Sequence, residues 1–377
     1  MSAVSASLSK PRRAWHLPDE SGIFAVLVVV VIVLSLLSPN FRTFSNASVL
    51  LVNGMVIGFL ALGQTFVLLT GGIDLSTGSN VAMTGVLAAL LMKNGVPWGW
   101  AAIVAIAVGV VLGIVNGMLI YFVKIPAFIA TFSTQGVALA IPLIITGASS
   151  IPVLQSGFSW LGQGRIAGIP LPVWLLLVAA VIAGLFLKMT RHGVHIYAVG
   201  GNADSARLSG VNIGATIIMV YAISGFCAGV GGMIATSRLM VGFPATGTGN
   251  ELFYSIAAAV VGGVSLFGGI GSVPGAMIGA VLIAAVSNGM NVLNVQSYWQ
   301  SLVIGLIILA GVSFDTLRRL HTRRPKGRAG DPPTSAGGQT GDPEPAGLTV
   351  AQAGGSAGWP VSPSPSSIQQ IPEGNQK

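Results

Sequence analysis

The chain has 377 residues, of which 53% are hydrophobic and 7% are charged, and its mean hydropathy is +0.82. A typical soluble domain has about 25% charged residues, which help to cover its surface. This composition therefore excludes a water-soluble enzyme. Residues 22–316 carry only 12 charged side chains, while the two ends together carry 16. This contrast indicates a membrane-embedded region between polar ends.

The net charge of +8 has two interpretations. A basic protein can bind nucleic acid, but no basic patch on a globular region supports that function here. Cationic residues also mark the cytoplasmic side of membrane proteins, which fits the composition better. The single cysteine, Cys227, can form no disulfide within the chain, and we expect it to be a small packing residue.

The first predicted helix follows a polar segment, residues 1–21, that contains Lys10, Arg12 and Arg13. Residues 23–37 are almost wholly apolar. Many further apolar stretches come later in the chain. We therefore interpret this run as an uncleaved transmembrane helix rather than a signal peptide.

Nine further apolar stretches follow, at residues 49–70, 79–92, 98–122, 126–146, 172–188, 213–235, 252–267, 273–293 and 298–314. Each span needs about 20 residues, so the sequence predicts an all-α, polytopic membrane protein with about ten transmembrane helices, of which the third and eighth look short. With both termini in the cytoplasm, 14 of the 18 Lys and Arg residues lie on the cytoplasmic side, as the positive-inside rule requires.

The end of the chain, residues 321–377, begins basic and then turns to Pro, Gly, Ser, Ala and Gln. This composition cannot bury a core. We therefore predict a cytoplasmic N-terminal segment at residues 1–21, a transmembrane domain at 22–320 and a disordered cytoplasmic tail at 321–377.

Small residues at four-residue spacing allow helix backbones to approach closely in a membrane. Three such series are Gly109–Gly113–Gly117, Gly271–Gly275–Gly279 and Gly225–Gly229. The tripeptide Asn-Gly-Met also recurs, at residues 116–118 and 288–290. Segments 98–146 and 270–316 are therefore candidates for internal half-repeats, although a chance match of three residues explains the similarity equally well.

The sequence lacks the motifs of several enzyme classes. No Lys follows a Gly, so the chain has no phosphate-binding G-x-x-x-x-G-K-[S/T] loop and cannot hydrolyse ATP by that route. The H-E-x-x-H motif is also absent, and the one G-x-S-x-G match, residues 354–358, lies in the Gly-rich end of the chain rather than at a turn between a strand and a helix. His192 and His195 have no Cys or acidic residue beside them, so they do not indicate a metal site. We expect neither a metal nor a cofactor.

Asp74 is the most informative acidic residue. It lies in the segment TGGIDLSTGSN, residues 70–80, between two apolar stretches. Glycines permit a break in a helix at this point, and an ionised carboxylate at membrane depth needs partners. Two interpretations remain: Asp74 caps the following helix with help from Ser76 and Ser79, or it lines a solute path.

Residues 189–212 form the most distinctive polar loop. Asn202 can cap a short helix of about eight residues that Gly210 would end. Ala203, Ala206 and Leu208 would supply its small or apolar contacts. Such a helix between two membrane helices suits docking into the groove of a partner, although a connecting helix on the membrane surface fits the same pattern.

Four segments in chain order resemble the ribose/xylose-type, monosaccharide ABC importer permeases of the branched-chain amino-acid/sugar permease superfamily. They are Gly71–Ser79, Gly200–Gly210, Ile256–Val273 and Ser287–Asn291. The chain departs from the family at Ile270, where the family usually has Arg, and at Ala203, where it often has an acidic residue.

The resemblance implies a transport subunit rather than an enzyme. It implies two permease chains in the bacterial cell membrane, a separate ATP-binding cassette ATPase that binds the ATP, and an extracytoplasmic sugar-binding protein. It also implies a coupling helix that enters a groove of the ATPase. This helix comprises Asn202, Ala203, Asp204, Ser205, Ala206, Arg207, Leu208 and Ser209.

We expect small, amide or hydroxyl side chains along the translocation path, because a polar sugar crosses lipid only at a large desolvation cost. Candidates for the path or for the cap of the broken helix are Asp74, Ser76, Ser79, Asn116 and Asn288. Further candidates for the path are Asn53, Gln64, Thr131, Ser133, Gln135 and Asn291. The outer loops 147–171 and 236–251 would meet the binding protein through Arg165, Arg238 and Glu251, although Glu251 fits a helix cap equally well.

Other functions are compatible with a polytopic membrane protein. One is an ABC permease for branched-chain amino acids, against which the sugar-type segment Gly71–Ser79 argues. Another is an ion-coupled secondary transporter that uses Asp74 and Glu251 as coupling acids. An intramembrane enzyme would need a nucleophile paired with a base, and the sequence offers no such pair.

Overall fold

The computed structural model describes residues 20–247 and 249–322. The segment predicted at residues 1–21 and the tail predicted at 321–377 therefore lie almost wholly outside the described residues. The α-helices of the described part are α1 (Ser21–Leu37), α2 (Phe44–Leu69), α3 (Thr77–Lys93), α4 (Trp98–Tyr121), α5 (Ala127–Thr146), α6 (Ser159–Gln163), α7 (Leu171–Met189), α8 (Arg191–Gly201), α9 (Ala203–Leu208), α10 (Ile213–Leu239), α11 (Glu251–Val261), α12 (Val273–Val292) and α13 (Ser297–Thr322).

Two short antiparallel strand pairs lie in the loops between these helices. Strand β1 (Ile151–Pro152) pairs with β4 (Val241–Gly242), with Ile151 opposite Gly242. Strand β2 (Arg165–Ile166) pairs with β3 (Ile169–Pro170). The first pair joins two loops that are about 90 residues apart in the chain.

All ten apolar stretches contain a helix, so the all-α, polytopic architecture is confirmed. Among the described residues, six helices are long and apolar enough to cross a membrane, namely α2, α4, α5, α7, α10 and α12. Helices α1 and α11 and the segment Tyr298–Ser313 of α13 are apolar but shorter. The number of ten spans therefore stays a prediction.

The span predicted at residues 252–267 is wrong in its second half, because α11 already ends at Val261. Gly263 takes a φ of +90°, and its N–H bonds to the carbonyl of Val260, while the N–H of Val264 bonds to Ala259. These two hydrogen bonds are those of a Schellman motif, which ends a helix. Residues 262–272 are a loop, and Gly271 belongs to this loop rather than to a helical glycine series.

Helices α2 and α10 form the centre of the bundle. Helix α10 packs against α4, α2 and α3, while α2 also packs against α12 and α11. The glycine spacing allows these contacts: a Cβ added at Gly109 would lie 2.9 Å from the carbonyl oxygen of Gly225. A Cβ at Gly113 would collide with the carbonyl oxygen of Tyr221. The backbones of α4 and α10 therefore touch directly, as small residues at this spacing predict.

We expect Gly113→Ala to lower the thermal unfolding midpoint of the detergent-solubilised protein, because the added methyl group must push α4 away from α10. Overpacking of this kind costs about 1–3 kcal/mol. The matched control is Gly184→Ala in α7, where a Cβ meets nothing within 4 Å. Equal midpoints for the two variants would contradict the close contact.

Candidate functional site

The broken segment between α2 and α3, residues 70–76, begins at a second Schellman motif. The N–H of Gly71 bonds to Leu68 at 2.8 Å and the N–H of Gly72 bonds to Val67 at 3.2 Å. Gly71 has a φ of +79°, which favours glycine. The chain then runs against α10, where the hydroxyl of Tyr221 donates to the carbonyl of Ile73 at 3.2 Å.

Asp74 is the centre of a buried hydrogen-bond network, and only 1% of its surface is exposed. Its Oδ1 accepts from the backbone N–H of Ser76 at 3.0 Å and from Ser76 Oγ at 2.6 Å, and its Oδ2 accepts from Ser224 Oγ at 2.7 Å. Asn116 Nδ2 donates to Ser76 Oγ at 2.8 Å, and Thr134 Oγ1 donates to Asn116 Oδ1 at 2.6 Å. The network therefore joins the broken segment to α10, α4 and α5.

Asp74 does not cap α3, because the N-cap residue of that helix is Ser76 and it has no side-chain cap hydrogen bond. Instead, the carboxylate accepts the backbone N–H of Ser76, two residues further on, and so forms a local turn just before the helix. Protein groups donate to both carboxylate oxygens. Ser79 does not help as expected: its Oγ is buried and has no hydrogen-bond partner among the described residues. Ser224 and Thr134 were not singled out from the sequence, since a hydroxyl within an apolar helix gives no signal of its partner.

The residues expected along the solute path do not form one surface in this chain. Those buried inside the bundle are Gln64, Asp74, Ser76, Ser79, Asn116, Thr131 and Asn288. Those on its surface are Asn53, Ser133 and Asn291, while Gln135 is half-buried. Asn288 forms a reciprocal amide pair with Asn46, with N–O distances of 2.9 and 3.1 Å, so it ties α12 to α2.

An open pocket of about 170 Å³ lies between α2, α7 and α12. Its lining consists of hydrocarbon side chains, glycine and methionine, such as Leu50, Leu176 and Met277. None of the residues expected along the path lines it. The pocket therefore offers no hydrogen-bonding groups to a polar solute.

The loop predicted to hold a short helix contains two helices, α8 and α9. Asn202 caps α9 as predicted, because its Oδ1 accepts from the N–H of Ser205 at 2.8 Å. Gly210 follows the helix with a φ of +83°. Ala206 is only 4% exposed and holds α9 against its neighbours, while Leu208 is 91% exposed. Helix α8 was not predicted, since it lies within the segment interpreted as a polar loop and ends in two glycines.

The two outer loops expected to meet a binding protein lie together. Strands β1 and β4 pair, and the side chain of Gln163 donates to the carbonyl of Arg238 at 2.9 Å. Arg165 is exposed and Arg238 is half-buried. Glu251 is the first residue of α11, and the side chain of the preceding Asn250 does not cap the helix. The buried Oε2 of Glu251 has no hydrogen-bond partner among the described residues.

These features define a multi-pass membrane protein that holds a buried polar network and exposes a pair of short polar helices. The chain matches the family described as the permease component of the branched-chain amino acid transport system over residues 46–312. It therefore belongs to that family.

Several curated relatives are similar over most of the chain. The ribose import permease protein of Escherichia coli (strain K12) is 38% identical over 314 residues, which cover 81% of this chain and 96% of that protein. The D-allose transport system permease protein of the same strain is also 38% identical and covers 83% of this chain and 96% of its own length. The L-arabinose ABC transporter permease protein of Azospirillum brasilense is 36% identical, covering 83% and 92%. No solved structure matches the chain.

We expect Asp74→Asn to destabilise the protein, because an amide cannot accept hydrogen bonds at both of its ends. A hydrogen bond to a charged group contributes about 1.5–3 kcal/mol to the free energy of unfolding. Thermal unfolding in detergent measures the change, and Ser133→Ala on the exposed face of α5 is the control. An unchanged midpoint for Asp74→Asn would show that the network does not need the carboxylate.

Proposed function

We propose that this chain is the membrane-spanning permease subunit of an ATP-binding-cassette importer, and that it translocates a ribose- or xylose-like monosaccharide. The observation that carries the proposal is α9, a capped and exposed helix in a chain that has no phosphate-binding loop of its own. Relatives named for ribose, allose and arabinose support a monosaccharide as the solute.

The partner that α9 would dock into is a separate ATPase, which binds and hydrolyses the ATP. Ala206 anchors the helix and Leu208 projects from it. On α8, Val194 is also 63% exposed. Apolar side chains on a rigid, short helix are suited to a groove in a partner protein. Closure of the ATPase would move these helices and bias the bundle between two states.

We infer that both termini lie in the cytoplasm and that ten helices span the inner membrane of a bacterium. The loops support this orientation. The loops predicted on the cytoplasmic side contact one another. The N–H of Gly269 donates to the carbonyl of Leu69, and the hydroxyl of Tyr197 donates to the carbonyl of Gly271. Loops predicted outside also meet one another, since β1 pairs with β4 and Gln155 bonds to Trp98.

We infer that α4–α5 and α12–α13 are related half-repeats. The packing supports this relation: α4 lies against α3 and α10, and α12 lies against α11 and α2. The first helix of each pair therefore packs against the helix that precedes it in the chain, α3 or α11, and against one of the two central helices, α10 or α2. A second copy of the chain would complete the path, and the apolar surface of α5, including Phe128, Phe132 and Ile144, is exposed and available to lipid or to that copy.

An external binding protein would deliver the sugar to the surface formed by loops 147–171 and 236–251. Arg165 and Arg238 lie at this surface and would face acidic groups of that protein. The two loops are held together by the β1–β4 pair. A rigid platform of this kind lowers the entropic cost of docking.

The alternative of an ion-coupled transporter would use Asp74 and Glu251. The carboxylate of Asp74 is fully engaged by protein donors, which argues against it as an ion carrier. Specificity for branched-chain amino acids finds no support in the named relatives, all of which carry the name of a sugar.

Reconstitution in liposomes tests the importer directly. We expect uptake of labelled ribose or xylose only when the chain, a matching ATPase, a sugar-binding protein and ATP are all present, because the chain has no ATP site. Unlabelled allose, arabinose and leucine would be added as competitors to identify the solute. Uptake by the chain alone under a proton or sodium gradient would overturn the proposal.

A charge at Leu208 should weaken the complex with the ATPase. We expect Leu208→Asp to reduce the affinity at least about tenfold, since loss of a central apolar contact costs about 2 kcal/mol. Leu154→Asp is the matched control, because Leu154 is 90% exposed but lies beside the outer strand β1. Equal ATPase binding by the two variants, measured on purified complexes, would contradict docking through α9.

A further inference from the structure

Three diglycine sequences that are far apart in the chain meet at one place. They are Gly71–Gly72 after α2, Gly200–Gly201 at the end of α8, and Gly268–Gly269 in the loop between α11 and α12. The backbone N–H of Gly269 donates to the carbonyl of Leu69 at 2.9 Å. We call the contact of Gly71, Gly200, Gly268 and Gly269 the glycine junction.

The glycine junction consists of backbone packed on backbone. A Cβ added at Gly268 would lie 2.8 Å from the nitrogen of Gly71 and 2.9 Å from the Cα of Gly200. A Cβ at Gly200 would collide with the carbonyl oxygen of Leu69 and lie 2.6 Å from the nitrogen of Gly269. No side chain separates the three segments, so a displacement of one passes directly to the other two.

One side chain fixes the orientation of α8 on this junction. The hydroxyl of Tyr197 donates to the carbonyl of Gly271 at 2.8 Å. Partial burial raises the pKa of Tyr197 above its ordinary value, so the hydroxyl stays protonated and remains a donor. Tyr197 lies one helical turn before Gly200, so α8 is attached to the loop 262–272 at two successive points.

The glycine junction lies between the exposed helices and the transmembrane bundle. On one side, Gly200 is followed within two residues by Asn202, the cap of α9. On the other side, Leu69 leads through residues 70–76 to Asp74 and α3, and Gly271 leads to Ser272, which caps α12 through the N–H of Gly275. The ends of α2 and α8 and the start of α12 are therefore linked through a few residues.

We propose that the glycine junction transmits movement of α8 and α9 to the membrane helices, and that Tyr197 is the positioning residue of this joint. The proposal rests on the importer function proposed above. It explains a feature that docking of α9 alone leaves unexplained, namely why glycines occur in three separate segments of the chain that meet beside α8.

The test is Tyr197→Phe in the complete complex of permease, ATPase and binding protein. We expect ATPase binding to stay as in the wild type and the thermal midpoint to fall by no more than the loss of one hydrogen bond causes. The amount of sugar transported per ATP hydrolysed should fall about fivefold, as for the loss of one net hydrogen bond between two states. Tyr298→Phe at the start of α13, where the side chain is 66% exposed, is the matched control.

A pair of alanine variants tests the backbone contact in the same assay. Gly200→Ala should uncouple transport from ATP hydrolysis or prevent folding. A Cβ at the neighbouring Gly201 meets nothing within 4 Å. Gly201→Ala should therefore fold and transport as the wild type does. If the ratio of sugar transported to ATP hydrolysed is unchanged in Tyr197→Phe, the proposed role of the glycine junction is overturned but the importer proposal is not. A wild-type complex that shows no ATP-dependent uptake would overturn the importer proposal and the joint with it.

Discussion

A carboxylate inside an apolar helix bundle is the constraint on which much of this structure depends. A charge removed from water is tolerated only when hydrogen bonds replace the lost solvation. Asp74 receives them from Ser76 and Ser224, and Asn116 holds Ser76 in place. The donors come from the broken segment, α10 and α4, so the network is complete only when those elements are packed together.

That packing requires helix backbones to approach one another closely. Lipid is as apolar as the side chains, so helices in a membrane associate through van der Waals contact and buried hydrogen bonds. Gly109 and Gly113 bring α4 onto α10, and Asn116, one turn further along α4, then reaches the Asp74 network. Close glycine contacts and buried polar side chains thus occur on the same helix because each depends on the other.

The ends of helix α9 are determined by local groups rather than by contacts between distant helices. Asn202 caps α9 and Gly210 follows it, and both features depend on residues no more than a few positions apart. This helix was therefore predictable, as were the approximate positions of the ten apolar helices. Helix α8 and the early end of α11 at Val261 were not, since hydropathy does not distinguish a helix from an apolar loop rich in glycine.

The sequence by itself determined the all-α architecture, the approximate positions of the helices, the break before Asp74 and the cap of α9. These depend on composition, on spacing and on contacts between near neighbours. Only the tertiary structure decided that Ser224 and Thr134 complete the Asp74 network, that loops 147–171 and 236–251 pair, and that three diglycine sequences meet beside Tyr197. The physical reason is that such contacts depend on how distant helices align along their axes, and no local pattern records that alignment.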